Sequence, residues 1–131
     1  VWEDVMCRAE IIDFSKCIQK VRSSYLPARY QRKLLYDLQR IQESGIPDIC
    51  RLILFGSCAR NQIKVGSDID LLLITSRQVP QAVRGELSSD LAEEKEGVST
   101  DLVFYTQEEF QNSTTLFTRQ IKKDGITLWE G

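Results

Sequence analysis

Apolar positions recur along this chain with two periods, about 3.6 residues in some stretches and two in others, and their order predicts the architecture. Residues 1–24 read as a helix on Val5, Met6, Ala9, Ile12, Ile18 and Val21. Ser23-Ser24 and Leu26-Pro27 break it, because proline disfavours helix at the residue before it and suits a first helical turn. A second helix follows over about 28–44 on the stripe Tyr30, Leu34, Leu38 and Ile41, with Leu35 beside it, and Gly45 and Pro47 stop it. Arg29, Arg32, Lys33 and Arg40 fall largely off the stripe and read as a solvated face.

The period then shortens. Arg51 to Phe55 is an apolar run closed by Gly56-Ser57, which predicts a first strand. Residues 69–75, Ile-Asp-Leu-Leu-Leu-Ile-Thr, are apolar on both faces after Asp70, as expected of a central strand covered on each side. Pro80-Gln81 open a helix to about Glu96, with Val83, Leu87 and Leu91 inward, and Gly97 ends it. A third strand runs from Val98 to Tyr105 with Asp101 near its start. Strand, helix, strand predicts a parallel pair joined by a right-handed crossover. Thr106 with Glu109 three residues on forms a capping box for a last helix over about 108–123, and Gly125 precedes a closing strand, Ile126 to Trp129. The class is α+β with α/β character: a mixed sheet of about four strands, helices packed on it, and an N-terminal helical extension. Residues 1–28 form the extension and 29–131 the main domain.

Composition narrows the chemistry. At 131 residues and 42% hydrophobic, the chain suits one core rather than two. It has no apolar run near the roughly 20 residues that span a bilayer and no signal-like start, so a soluble, cytoplasmic protein is expected and no membrane partner. The chain begins at Val1 rather than Met, which leaves open that it is a processed product or part of a longer protein. With no histidine, a Ser-His or Cys-His nucleophile is excluded, and Cys7, Cys17, Cys50 and Cys58 lack the spacing of a zinc site. Carboxylates must carry any chemistry. Residues 1–66 hold 11 Lys and Arg against 7 Asp and Glu, and residues 67–131 hold 6 against 12. Solvated helix faces account for that asymmetry, and it does not point to nucleic acid.

The stretch from Leu54 to Thr75 sets a glycine turn and two acids between two apolar strands. Alternate residues of a strand share a face about 7 Å apart, so Asp68 and Asp70 point the same way. At an effective dielectric near 20 they repel by roughly 2.4 kcal/mol, and Asp101 adds to that if its strand is a neighbour. A hard cation relieves the conflict, and oxygen donors without His or Cys select Mg²⁺ or Mn²⁺. A pair of such ions is a standard device for in-line displacement at phosphorus. Gly56 lets the backbone approach a ligand, the Ser57 hydroxyl can bond phosphate, and Arg60, Lys64 and Ser67 are further candidates for phosphate contact. Singly, Gly-Ser is a turn, Asp-x-Asp a cap or solvated loop, and Asp101 a solvated strand end. Together they favour a nucleotide site. Cys58 reads as a small packing residue, and Trp2 and Trp129 as core or terminal packing rather than stacking platforms.

Phe55-Gly56-Ser57 followed by Ser67-Asp68-Ile69-Asp70 resembles the signature of the DNA polymerase β-like nucleotidyltransferases, and among them the small, minimal members. The similarity covers residues 30–131, including the closing Gln-Ile-Lys-Lys-Asp-Gly-Ile-Thr-Leu-Trp-Glu. Asn61 stands where many relatives have glycine, and asparagine tolerates the left-handed backbone such a turn needs. The resemblance implies metal ligands and catalytic acids at Asp68, Asp70 and Asp101, phosphate contacts at Gly56 and Ser57, and two ions. Asp101 would bind the metal that activates the acceptor hydroxyl and take its proton. The reaction implied moves a nucleoside monophosphate from a nucleoside triphosphate such as ATP to a hydroxyl, with pyrophosphate leaving. In similar proteins the acceptor is often a protein, including HEPN-type toxin partners. Two other functions stay open on the sequence: a regulatory nucleotide-binding module acting by contact, and the catalytic half of a small-molecule nucleotidyltransferase.

Overall fold

A buried central strand decides how the other elements stack. The computed structural model describes residues 12–131. Its strands are β1 (Ile49–Phe55), β2 (Ile69–Thr75), β3 (Thr100–Thr106) and β4 (Ile126–Glu130). Its helices are α1 (Ser15–Arg22), α2 (Ala28–Glu43), α3 (Gln81–Ala92), α4 (Gln107–Asn112) and α5 (Leu116–Asp124). The sheet order is β3-β2-β1-β4, with β2 parallel to β3 and β1 antiparallel to both β2 and β4. The mixed four-stranded sheet and the parallel crossover pair are as the periodicity predicts.

Alternation along the strands splits the core into two layers. Ile69, Leu71 and Leu73 of β2, with Leu52 and Leu54 of β1, pack with Tyr30, Leu34, Leu38 and Ile41 of α2 and Leu87 and Leu91 of α3. On the opposite face Leu72, Ile74 and Ile53 pack with Phe110 of α4 and Ile121 of α5. Every residue of β2 except Asp70 is buried. At roughly 1.5–3 kcal/mol per fully buried aliphatic side chain, this strand anchors the acids that flank its start.

Several expectations are corrected. Helix 1–24 exists over Ser15–Arg22, and its residues 1–11 lie outside the described residues. Ser15 donates its N–H to Asp13 Oδ1 at 2.9 Å, so Asp13 closes the helix start. Helix 81–96 stops at Ala92, because Lys95 and Val98 pair across a tight turn in which Glu96 and Gly97 take positive φ. Val83 is exposed rather than inward. The last helix is two helices: Ser113 leaves α4 extended, and Thr115 starts α5 by accepting the Thr118 N–H at 3.3 Å. Lys33, expected on a solvated face, is 1% exposed.

The described part of the N-terminal segment packs on the far edge of the sheet. Phe14 meets Trp129 of β4 edge to face at 5.7 Å, and the Trp129 indole donates to Asp13 O at 3.1 Å. Trp129 is a packing residue, as expected; Trp2 lies outside the described residues.

Candidate active site

The parallel register of β2 and β3 pairs Asp70 with Asp101. Both therefore face the α4–α5 side, at one end of the sheet, with Phe55 opposite Asp70 on β1. Asp68 sits one residue before β2 and projects with Asp70. Its Oδ1 accepts a hydrogen bond from the Ser99 hydroxyl at 2.8 Å, and Ile69 N–H donates to Ser99 O at 2.9 Å, so the starts of the two strands are laced together. Burial pushes the Asp70 carboxyl up to about 6, the negative charges of Asp101 and Asp68 push the same way, and only Arg60 opposes them. The three acids share one electrostatic environment.

β1 ends in a 3₁₀ turn, Gly56–Cys58. Gly56 has φ +75°, and a methyl there would overlap the Asp70 carboxylate and stand 3.1 Å from its Cγ. Glycine is required on both counts: left-handed backbone and contact with the acid. Cys58 is fully buried beneath the turn, and burial lifts its thiol to about 11. It is a packing residue, as its sequence context suggests. Asn61 adopts φ 54°, the left-handed conformation expected there.

Beyond the turn, Ser57, Arg60, Gln62, Ile63, Lys64 and Ser67 line an open groove of about 520 Å³. Every predicted phosphate-contact residue except Gly56 is among them. Ser67 also has a local task, since its Oγ accepts the Lys64 N–H at 2.8 Å and ties the loop. Two tyrosines brace this loop: Tyr25, not singled out in the sequence, and Tyr30, expected there only as a packing residue of its helix. The Tyr25 hydroxyl donates to Cys58 O and accepts from the Asn61 N–H, and Tyr30 donates to Ser67 O at 2.7 Å. Ser99 was likewise missed, although a hydroxyl two residues before Asp101 at a strand start was a usable signal.

Among the described residues, no three His, Cys, Asp or Glu side chains converge as a ready-made metal cage. The donors nonetheless suit a hard cation: all are carboxylate oxygens, and burial together with the charges of Asp101 and Asp68 disfavours the ionised form of Asp70, which a cation would stabilise. Mg²⁺ commonly takes one or two carboxylates and completes its shell with substrate phosphate oxygens and water. Asp68, Asp70 and Asp101 are the residues that would hold it.

A two-layered mixed sheet carrying acids at the starts of parallel strands beside a glycine turn defines a nucleotide-transfer class of fold. The family model for polymerase beta nucleotidyltransferases matches residues 37–131, and the chain belongs to that family. No curated protein sequence matches it. A chain of a crystal structure of a toxin-antitoxin with AMP-PNP is 25% identical, with a TM-score of 0.56 over 76% of this chain and 73% of that one. A chain from the complex of tri-AMPylated Shewanella oneidensis HEPN toxin with MNT antitoxin is 23% identical, at TM-score 0.54 over 77% and 72%. A putative nucleotidyltransferase from Sulfolobus solfataricus is 17% identical, at TM-score 0.51 over 88% and 89%. The fold is that of minimal nucleotidyltransferases.

Proposed function

We propose that this chain moves a nucleoside monophosphate, AMP from ATP, onto a hydroxyl of a protein acceptor, and that the acceptor is a HEPN-type partner which it neutralises as an antitoxin. The pairing of Asp70 with Asp101, with Asp68 on the same side and Gly56 against Asp70, carries the reading. The toxin-antitoxin structure with AMP-PNP and the AMPylated HEPN complex support the choice of nucleotide and partner.

Gly56 lets the turn approach the triphosphate, while Ser57 and Arg60 supply a hydroxyl and a positive charge along the groove. The acceptor oxygen attacks the α-phosphorus, the bond from that phosphorus to the bridging oxygen of pyrophosphate breaks, and the hydroxyl proton passes to Asp101. Asp101 suits that role because it is exposed at the start of the edge strand β3, where an acceptor can reach it. Bound Mg²⁺ or Mn²⁺, two ions in this reading, would neutralise the carboxylates and phosphates and lower the pKa of the attacking hydroxyl. The chain holds Asp68 and Asp70 for that purpose at the rim of a rigid core. No helix among the described residues is long and apolar enough to cross a membrane. The assay is label transfer from [α-³²P]ATP with Mg²⁺ and a lysate of the protein's own source. A labelled macromolecule that persists with Asp68→Ala/Asp70→Ala overturns the assignment.

A further inference from the structure

The mechanism leaves one buried charged cluster unused. Lys33 and Asp37 of α2 have fully buried side chains and pair at 2.5 Å. Lys33 Nζ spends its donors on Asp37 Oδ1, Leu91 O at 2.9 Å and Thr100 Oγ1 at 2.9 Å. Thr100 in turn donates its hydroxyl to Asp37 Oδ2 at 2.5 Å. One helical turn before Lys33, Tyr30 donates to Ser67 O. Tyr30, Lys33 and Asp37 are spaced i, i+3 and i+7, one face of a helix. Their two strand-side partners are the residues immediately before Asp68 and immediately before Asp101.

We propose that Tyr30, Lys33 and Asp37 are positioning residues, a polar face of α2 that fixes the separation of Asp68 and Asp101 by gripping Ser67 and Thr100. The inference rests on the reading of those acids as the metal and nucleotide site. Alternation makes the grip effective: Thr100 turns toward α2, so Asp101 turns the other way, into the cleft. Stability alone is a poor account of the cluster, because apolar residues of similar volume commonly replace a buried ion pair without loss. What apolar residues lack is direction, and here Lys33, Asp37 and Thr100 leave one another little freedom.

The test compares Mn²⁺ binding, read from the electron paramagnetic resonance of the free ion without nucleotide, in wild type, Lys33→Met/Asp37→Leu, Thr100→Val and Thr100→Ser. Thr100→Val keeps the shape and loses the hydroxyl, whereas Thr100→Ser keeps the hydroxyl. The Met/Leu and Val variants should bind Mn²⁺ about tenfold or more weakly, the usual cost of removing groups that orient metal ligands, while Thr100→Ser stays close to wild type. The Met/Leu protein should still melt near the wild-type temperature. Wild-type Mn²⁺ affinity in a folded Met/Leu variant, or in Thr100→Val if Met/Leu does not fold, overturns the proposal. A metal-free measurement separates this from failure of the site itself. Exchange of the Ile69 N–H, which bonds Ser99 O, should quicken in Thr100→Val while amides at the centre of β2 do not change. If wild type binds no Mn²⁺, the metal-site reading fails, and unchanged Ile69 exchange then overturns the positioning role as well.

Discussion

Position 56 has room for a hydrogen and nothing larger. Its φ of +75° and its contact with Asp70 mean that Gly56→Ala strains the turn and displaces the carboxylate together. Misplacement of a reacting group by about 1 Å can cost roughly a hundredfold in rate, so this variant should lose transfer to that degree while still unfolding cooperatively. Asp70 makes a second prediction, in metal-free protein. Its folded pKa, about 6, lies above the ordinary 3.8, so on raising the pH the unfolded chain loses this proton first. The ionised carboxylate therefore costs stability above pH 6 and nothing below about pH 4. Asp70→Asn should melt higher than wild type at pH 7.5, with the gap closing toward pH 4; an Asn variant less stable at pH 7.5 would contradict the crowding of acids. The acids themselves were legible, because Asp-x-Asp opening an apolar strand places both on one face. Lys33 was not, because lysine beside an apolar stripe is ordinarily solvated. Its signal was positional: 33 and 37 fall in line with Tyr30, Leu34, Leu38 and Ile41 as the buried face of one helix.

Elements were legible where a single period ran uninterrupted. The four strands and α2 lie within two residues of their expected bounds, and the capping box at Thr106 and Glu109 is formed. The last helix was read as continuous from its capping box to Gly125; the break lies at Asn112-Ser113-Thr114-Thr115, a run of capping residues, while Phe110, Phe117 and Ile121 keep helical spacing across it. Its end depends on Gly125. A methyl there would stand 2.5 Å from Ile121 O and 2.8 Å from the Ile53 side chain. Gly125→Ala should cost about 1–3 kcal/mol in urea unfolding, the usual penalty for overpacking. Unchanged stability would mean that α5 and β4 shift freely, against the role of α5 in covering the acid-bearing face.

At the scale of the molecule, the two faces of the sheet divide the work. One is sealed by α1, α2 and α3 and holds the strands in register; the other is partly covered by α4 and α5 and leaves the acids at its open end. The parallel β2–β3 pair could be read from the strand-helix-strand order, and with it the meeting of Asp70 and Asp101. The loop bracing by Tyr25 and Tyr30 could not, since it joins residues 36 and 37 positions apart in the chain through backbone carbonyls and amides. The central claim is that this architecture transfers a nucleotidyl group and not a terminal phosphoryl group. The direct measurement sets [α-³²P]ATP against [γ-³²P]ATP, with Mg²⁺ and the acceptor-containing lysate. Label should reach the acceptor from the α position only and vanish with Asp68→Ala/Asp70→Ala, with the γ label recovered in pyrophosphate. Transfer of the γ label, or α-label transfer indifferent to both aspartates, would contradict the account.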